Sequence, residues 1–344
     1  AKFYKANGQV DKAKQVYQEI IDAAGVTNDG LEARVKLARL LMKENELQAA
    51  EELLNEVLKE NVNHNDALIS RGQIALANKD VDSAITDFRS ALKGQPNSAE
   101  IRLYLARAHM LNKEYRQAID NLQSVLAIEE NNQSARFTLA QAFSLNGDVE
   151  KSIEQYQALI KLEPENQKSR LALFSLLIKS RNFVAARKLA DDTKATDKDG
   201  FLGYYFSGLT HLSEKQFPES IKELKIALSR QPKENKILVA LVRSQLANKS
   251  TGEAVSQLQK FIKSSPSDVA AINLLAEVYL MDKKYQQAIS TLDKAQKIKP
   301  GWVNTYHNKA RVYLAMSDTQ AALTAIDEGL KKTNRADLLV IEKS

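Results

Sequence analysis

Apolar and small residues along the chain recur in two alternating clusters, and each cluster returns at a fixed distance. Aligning the small residue of "VDSAITDF" with its equivalents gives Ala50, Ala84, Ala118, Ser152, Ala186, Ser220, Ala254, Ala288 and Ala322, every interval being 34 residues. With that residue as position 20 of a repeat, residues not used to set the frame fall into register. Position 8 is mostly small, and position 24 is large and apolar in eight of nine repeats. Five of the six prolines (Pro96, Pro164, Pro232, Pro266 and Pro300) share position 32. Positions 4, 7, 8 and 11 lie on one face of a first helix, and 20, 24, 27 and 28 on one face of a second. Small residues at 8 and 20 let the two helices approach closely. Proline at 32 ends the second helix, because it lacks an N–H and restricts its predecessor. One hairpin cannot bury its apolar face alone, whereas stacked hairpins share a continuous core.

Nine full repeats run from 31 to 336. Residues 1–30 read as the end of one more repeat and a connecting turn, with Gly8 in the interhelical turn, Ala13 at position 20 and Tyr17 at position 24. Residues 337–344 read as the start of a further helix, so the chain is expected to be cut from a longer array. "DDTKATDKDGFLGYYFSG" (191–208) breaks the texture but not the period. There Ala190, Thr193 and Lys194 occupy positions 24, 27 and 28, where other repeats place larger apolar groups. A shortened helix and an irregular, softer joint are therefore expected near 190–203.

The period and the pattern of small 8, small 20, large 24 and Pro 32 resemble the tetratricopeptide repeat family across essentially the whole chain. The resemblance implies an all-α fold, an α-α solenoid in which the hairpins wind into a right-handed superhelix. More narrowly, "LARLLMKENELQAAEELLNEVL", "RGQIALANKDVDSAITDFRSAL" and "GYYFSGLTHLSEKQFPESI" are similar to long bacterial tetratricopeptide lipoproteins associated with exopolysaccharide and exosortase (PEP-CTERM) systems. That resemblance implies a bacterial envelope setting and a role in assembly.

Composition narrows the chemistry. The absence of cysteine excludes disulfides, thiolate metal sites and cysteine nucleophiles. The net charge of +6 is small beside 49 basic and 43 acidic residues, and no aromatic-interleaved basic cluster appears, so nucleic acid is not an expected partner. Apolar runs such as "LALFSLLI" are too short to span a bilayer. His64, His109, His211 and His307 lack a metal-ligand neighbour at i+4 and read as packing or surface residues. In "ATDKDG" a calcium loop would need an oxygen ligand at Ala195 and a glutamate at Phe206, and neither is present. No metalloprotease, nucleophile-elbow or phosphate-loop motif occurs. No enzyme activity, cofactor or metal is expected.

What remains is binding. In the resembled family the first helix of each repeat lines the concave face through positions 2, 5, 9, 12 and 13. Position 5 supplies Ile69, Leu103, Phe137, Leu171 and Tyr205, and position 9 supplies Arg39, Arg107, Gln141, Arg243 and Arg311. The expected surface is an apolar trough over repeats 1 to 7, edged by arginines, suited to an extended or helical protein segment carrying carboxylates. No three successive first helices carry the pattern at positions 2 and 6 with which family members clamp acidic chaperone tails. The sequence reading is a noncatalytic scaffold for a partner peptide or protein. The alternative is the substrate-recruiting region of a longer enzyme such as a glycosyltransferase, and self-association through the end repeats is a further possibility.

Overall fold

The computed structural model describes residues 1, 4 and 7–333. Among them are nineteen α-helices and no strand. The chain divides into two compact units, 1–176 and 177–344, at a point inside one helix. The first unit holds α1 (Val10–Ala24), α2 (Asn28–Lys43), α3 (Leu47–Glu60), α4 (Asn65–Ala77), α5 (Val81–Gly94), α6 (Ala99–Leu111), α7 (Tyr115–Ile128), α8 (Gln133–Asn146), α9 (Val149–Leu162) and most of α10 (Gln167–Lys179). The second holds the end of α10, then α11 (Phe183–Thr196), α12 (Leu202–Ser213), α13 (Phe217–Arg230), α14 (Asn235–Ala247), α15 (Thr251–Ser264), α16 (Val269–Met281), α17 (Tyr285–Ile298), α18 (Val303–Ala315) and α19 (Thr319–Thr333). Even-numbered helices are the first of each repeat and odd-numbered ones the second. Each unit is an all-α solenoid of helical hairpins, in which helices consecutive in sequence pack side by side. The further helix expected over 337–344 lies outside the described residues.

The frame positions do the work their sizes suggest. All nine residues at position 20 are buried, and none of them is more than 2% exposed. Where serine replaces alanine, its hydroxyl donates to the carbonyl at position 8 of the same hairpin. Ser152 reaches Ala140 and Ser220 reaches Gly208, each at 2.7 Å, so neither buried hydroxyl is left unpaired. Glycine at position 8 makes room for position 24, since a Cβ on Gly72 would stand 2.6 Å from the Phe88 ring.

Two turns alternate. After each second helix from α1 to α17, the residue at position 34 donates to the carbonyl at 31, as Ser98 does to Gln95 at 3.1 Å. Proline at 32 is thus the second residue of a β-turn, where its fixed φ is pre-set. After each first helix, position 15 is left-handed in every repeat, with φ between 57° and 93°. The amide at 16 then closes onto the carbonyl at 11, as Glu114 does onto His109 at 2.9 Å, the long bond of a Schellman motif. Five of these ten left-handed residues are lysine, an uncommon choice for positive φ.

The unusual stretch corrects one expectation. α11 is not shortened: it has 14 residues, like α5, α7, α9 and α13. The usual turn follows, with Gly200 donating to Asp197, but α12 starts one residue late, at Leu202. The missing bulk on α11 is matched by close approach of the backbones. A Cβ on Gly203 would lie 2.7 Å from the Lys194 nitrogen and 2.9 Å from the Ala190 oxygen. Thr193 turns its hydroxyl onto Leu189 O at 2.6 Å. Tyr204 lies between Lys194 and Arg230, whose cations sit 4.9 and 4.2 Å from its ring centre. The size code of this repeat is inverted, because Phe174 holds the usually small position 8 and Ala190 the usually large position 24, and both are buried.

Candidate inner-face binding site

The residues expected to bind a partner do not form one uniform strip. In the first unit, position 5 begins closed. Val35 and Ile69 are core residues, so Ile69 is corrected from a groove residue to a packing one. Leu103 and Phe137 are half-buried, and Leu171 is 40% exposed. Phe137 is edge-on to Tyr156 and carries the Lys168 ammonium 4.2 Å from its ring centre. Arg39 is engaged within the fold, its side chain 42% exposed. Its guanidinium is held by the next repeat, through Ser70 Oγ at 3.0 Å and the Asp66 carboxylate at 3.1 Å. Arg107 and Gln141 are exposed, with no hydrogen-bond or ion-pair partner among the described residues.

The second unit contains a distinct concavity of about 590 Å³ between α14, α16 and α18. Its walls are mainly apolar, including Val239, Leu246, Leu274 and Met281. Arg243 and Glu277 supply charge, and Asn273 and Asn308 supply amides. Most of these residues stand at positions 2, 5, 9, 12 and 13. A buried hydrogen-bonded chain braces the wall. Asn273 Nδ2 donates to Thr305 Oγ1 at 3.0 Å, and Asn308 Nδ2 donates to Asn273 Oδ1 at 3.2 Å and Glu277 Oε1 at 3.1 Å. Networks of this kind hold side chains in fixed rotamers when every member is paired. His307 has its pKa lowered by burial and then by the Arg311 charge, which favours the neutral ring at neutral pH. Tyr205 is half-buried and its phenol is pushed up by burial, with the Arg243 charge opposing.

The other histidines also have local roles. His64 caps α4, His109 Nδ1 meets Glu114 at 2.5 Å, and His211 Nδ1 meets Gln216 at 2.6 Å. Among the described residues no group of three His, Asp or Glu is arranged to hold a metal, and no helix is long and apolar enough to cross a membrane.

The tetratricopeptide repeat family matches residues 4–61, 35–99, 69–135 and 105–169. The description "Anaphase-promoting complex, cyclosome, subunit 3" matches residues 247–329. The unbroken 34-residue frame runs through both matched parts and the stretch between them. Residues 4–169 are tetratricopeptide repeats.

No curated protein matches it. Among solved structures, it is similar to one described as Naa15/Naa10 bound to HypK-THB, at 15% identity and a TM-score of 0.48. That likeness covers 97% of this chain but 63% of the other, so the chain spans less than two thirds of that relative's length. A tetratricopeptide repeat protein from Parabacteroides merdae gives 16% identity and a TM-score of 0.48, covering 74% of this chain and 98% of that one. YrrB, described as having an unusual peptide-binding site, gives 16% identity and a TM-score of 0.37, covering 56% and 98%. Likenesses of this order carry no argument about partners.

Of the ten residues singled out from the sequence, only Arg243 lines the second-unit concavity. Arg311 stands beside it and donates to Asn308 Oδ1 at 3.4 Å. Positions 2, 5, 9, 12 and 13 do not include position 6, which supplies Leu274 and Asn308 to the concavity, or Trp302 in the turn before α18. The readable signal was the amide-rich "WVNTYHN" (302–308), separated by one residue from the position-32 Pro300.

Proposed function

We propose that the chain is a noncatalytic interaction scaffold that docks a partner peptide or protein against the inner face of its first helices. One observation carries this reading: the second-unit concavity is lined at family inner-face positions of three successive first helices. Its apolar walls offer burial, and its braced amide network keeps the wall in place before a partner arrives. A flexible partner then bears most of the ordering cost. Recovery of partners from native lysate tests this reading. Arg107→Glu, Arg243→Glu and Leu274→Glu are expected to deplete the partner that the unaltered chain retains, and unchanged recovery by all three contradicts it.

The resemblance to long bacterial lipoproteins extends the proposal to envelope and exopolysaccharide assembly. Fractionation of the native protein with the envelope supports that setting, and recovery wholly in the cytosol argues against it. As the recruiting region of a longer enzyme, the same face would present substrate to a catalytic domain, and a nucleotide-sugar domain in the full-length protein would favour that use. Light scattering over a concentration series tests self-association.

A further inference from the structure

The second-unit concavity has one charge left over. Position 9 of α14, α16 and α18 carries Arg243, Glu277 and Arg311, a row of alternating sign. Asn308 engages the last two, its nitrogen donating to Glu277 and its oxygen accepting from Arg311. Arg243 lines the cavity and is exposed, and among the described residues it has no hydrogen-bond or ion-pair partner. Elsewhere in the chain Arg39, Arg71 and Arg187 each reach a carboxylate. Trp302 also lines the cavity, its Nε1 buried and without an acceptor. Beside Arg243 stands apolar wall, including Leu274 and the 66% exposed Met281.

We infer that this cavity takes an acidic peptide segment in which a large apolar side chain lies two to three residues from an Asp or Glu. The inference rests on the inner-face reading above. The carboxylate meets the Arg243 fork, which can hold both oxygens at once. The apolar side chain enters against the wall of the next first helix. Packed helices lie roughly 8–10 Å apart, and an extended chain advances about 3.3 Å per residue. Two to three residues therefore carry the peptide from Arg243 to Leu274 and Met281. A neutral or basic segment would fill the apolar wall and leave the arginine uncompensated.

Random dodecapeptides displayed on phage are selected against the whole chain, and enriched peptides are synthesised and titrated by fluorescence anisotropy. The expected motif is an Asp or Glu two to three positions from Leu, Ile, Phe or Met. Arg243→Glu is expected to weaken these peptides about tenfold or more, and Arg243→Lys by less, since the charge stays but the fork is lost. Changing the peptide's Asp to Asn reproduces the loss. Circular dichroism confirms that each variant keeps its helices. Peptides that lose binding on Leu274→Glu but ignore Arg243→Glu overturn the acidic-segment inference and leave the inner-face reading standing. Peptides indifferent to both substitutions, or no enrichment at all, overturn the inner-face reading and this inference with it.

Discussion

Gly203→Ala isolates the contact that replaces lost side-chain bulk between α11 and α12. The added methyl would meet Lys194 N at 2.7 Å and Ala190 O at 2.9 Å, both backbone atoms, and Lys194 Cγ at 2.6 Å. Non-bonded atoms at their optimum stand about 3.5–4.0 Å apart, so the helices must part by roughly 0.5–1 Å, forfeiting a quarter to a half of each contact well across the interface. Overpacking of this kind costs about 1–3 kcal/mol. The change also removes a glycine from a helix, a gain of no more than about 1 kcal/mol. The expected net is a loss of about 1–2 kcal/mol. Gly252→Ala is the matched control: it too is the second residue of a helix, but a Cβ there meets nothing within 4 Å. It should therefore show the propensity gain without the clash. Urea unfolding of both variants, with hydrogen exchange followed over residues 183–213, reads the difference. Gly203→Ala as stable as Gly252→Ala would refute the close-approach argument.

Three further outcomes are expected. Burial pushes the Tyr156 phenol up to about 12, above the unfolded value of about 10. Its stabilisation is therefore whole below pH 10 and lost as pH rises towards 12, and a late phenolate absorbance step that Tyr156→Phe removes would show it. Gly147 is left-handed at φ 93°, so Gly147→Ala should cost about 1 kcal/mol in urea unfolding, while Lys113→Gly at an equivalent turn should not destabilise. Asp87 is buried and takes two bonds from Arg71, at 2.8 Å from Nε and 2.7 Å from Nη2. Asp87→Ala should cost about 2 kcal/mol, less than a fully buried pair because Arg71 reaches solvent, whereas the double replacement Arg71→Met with Asp87→Leu should recover most of that loss.

The fold was legible because its rule is local. A small residue at 20, a partner at 8 and a proline at 32 each act within one hairpin, so the 34-residue spacing carries them without reference to anything distant. The left-handed turns were not legible at Lys79 or Lys249, because lysine does not announce positive φ; the hydrogen bonds around it impose that conformation. Near 190–203 the shortening falls on α12, with 12 residues, and not on α11, for a related reason. Small residues at 190 and 193 signal missing volume in the sequence, while Gly203, across the turn, lets the backbone come closer. The candidate site was half legible. Family positions pointed to the inner face, but Arg39 is claimed by Asp66 and Arg243 is not, and nothing within either repeat separates the two. The link between Asn273, Glu277 and Asn308 joins residues 31 to 35 apart and becomes visible only when neighbouring repeats are stacked.

The docking claim is tested most directly by a photo-crosslinking residue placed at Met281, inside the second-unit concavity, and separately at Val184 on α11, an equally exposed apolar position on a second helix. The account predicts a partner adduct from Met281 that Leu274→Glu abolishes, and none from Val184. Adducts from Val184 alone, or a Met281 adduct indifferent to Leu274→Glu, would contradict it.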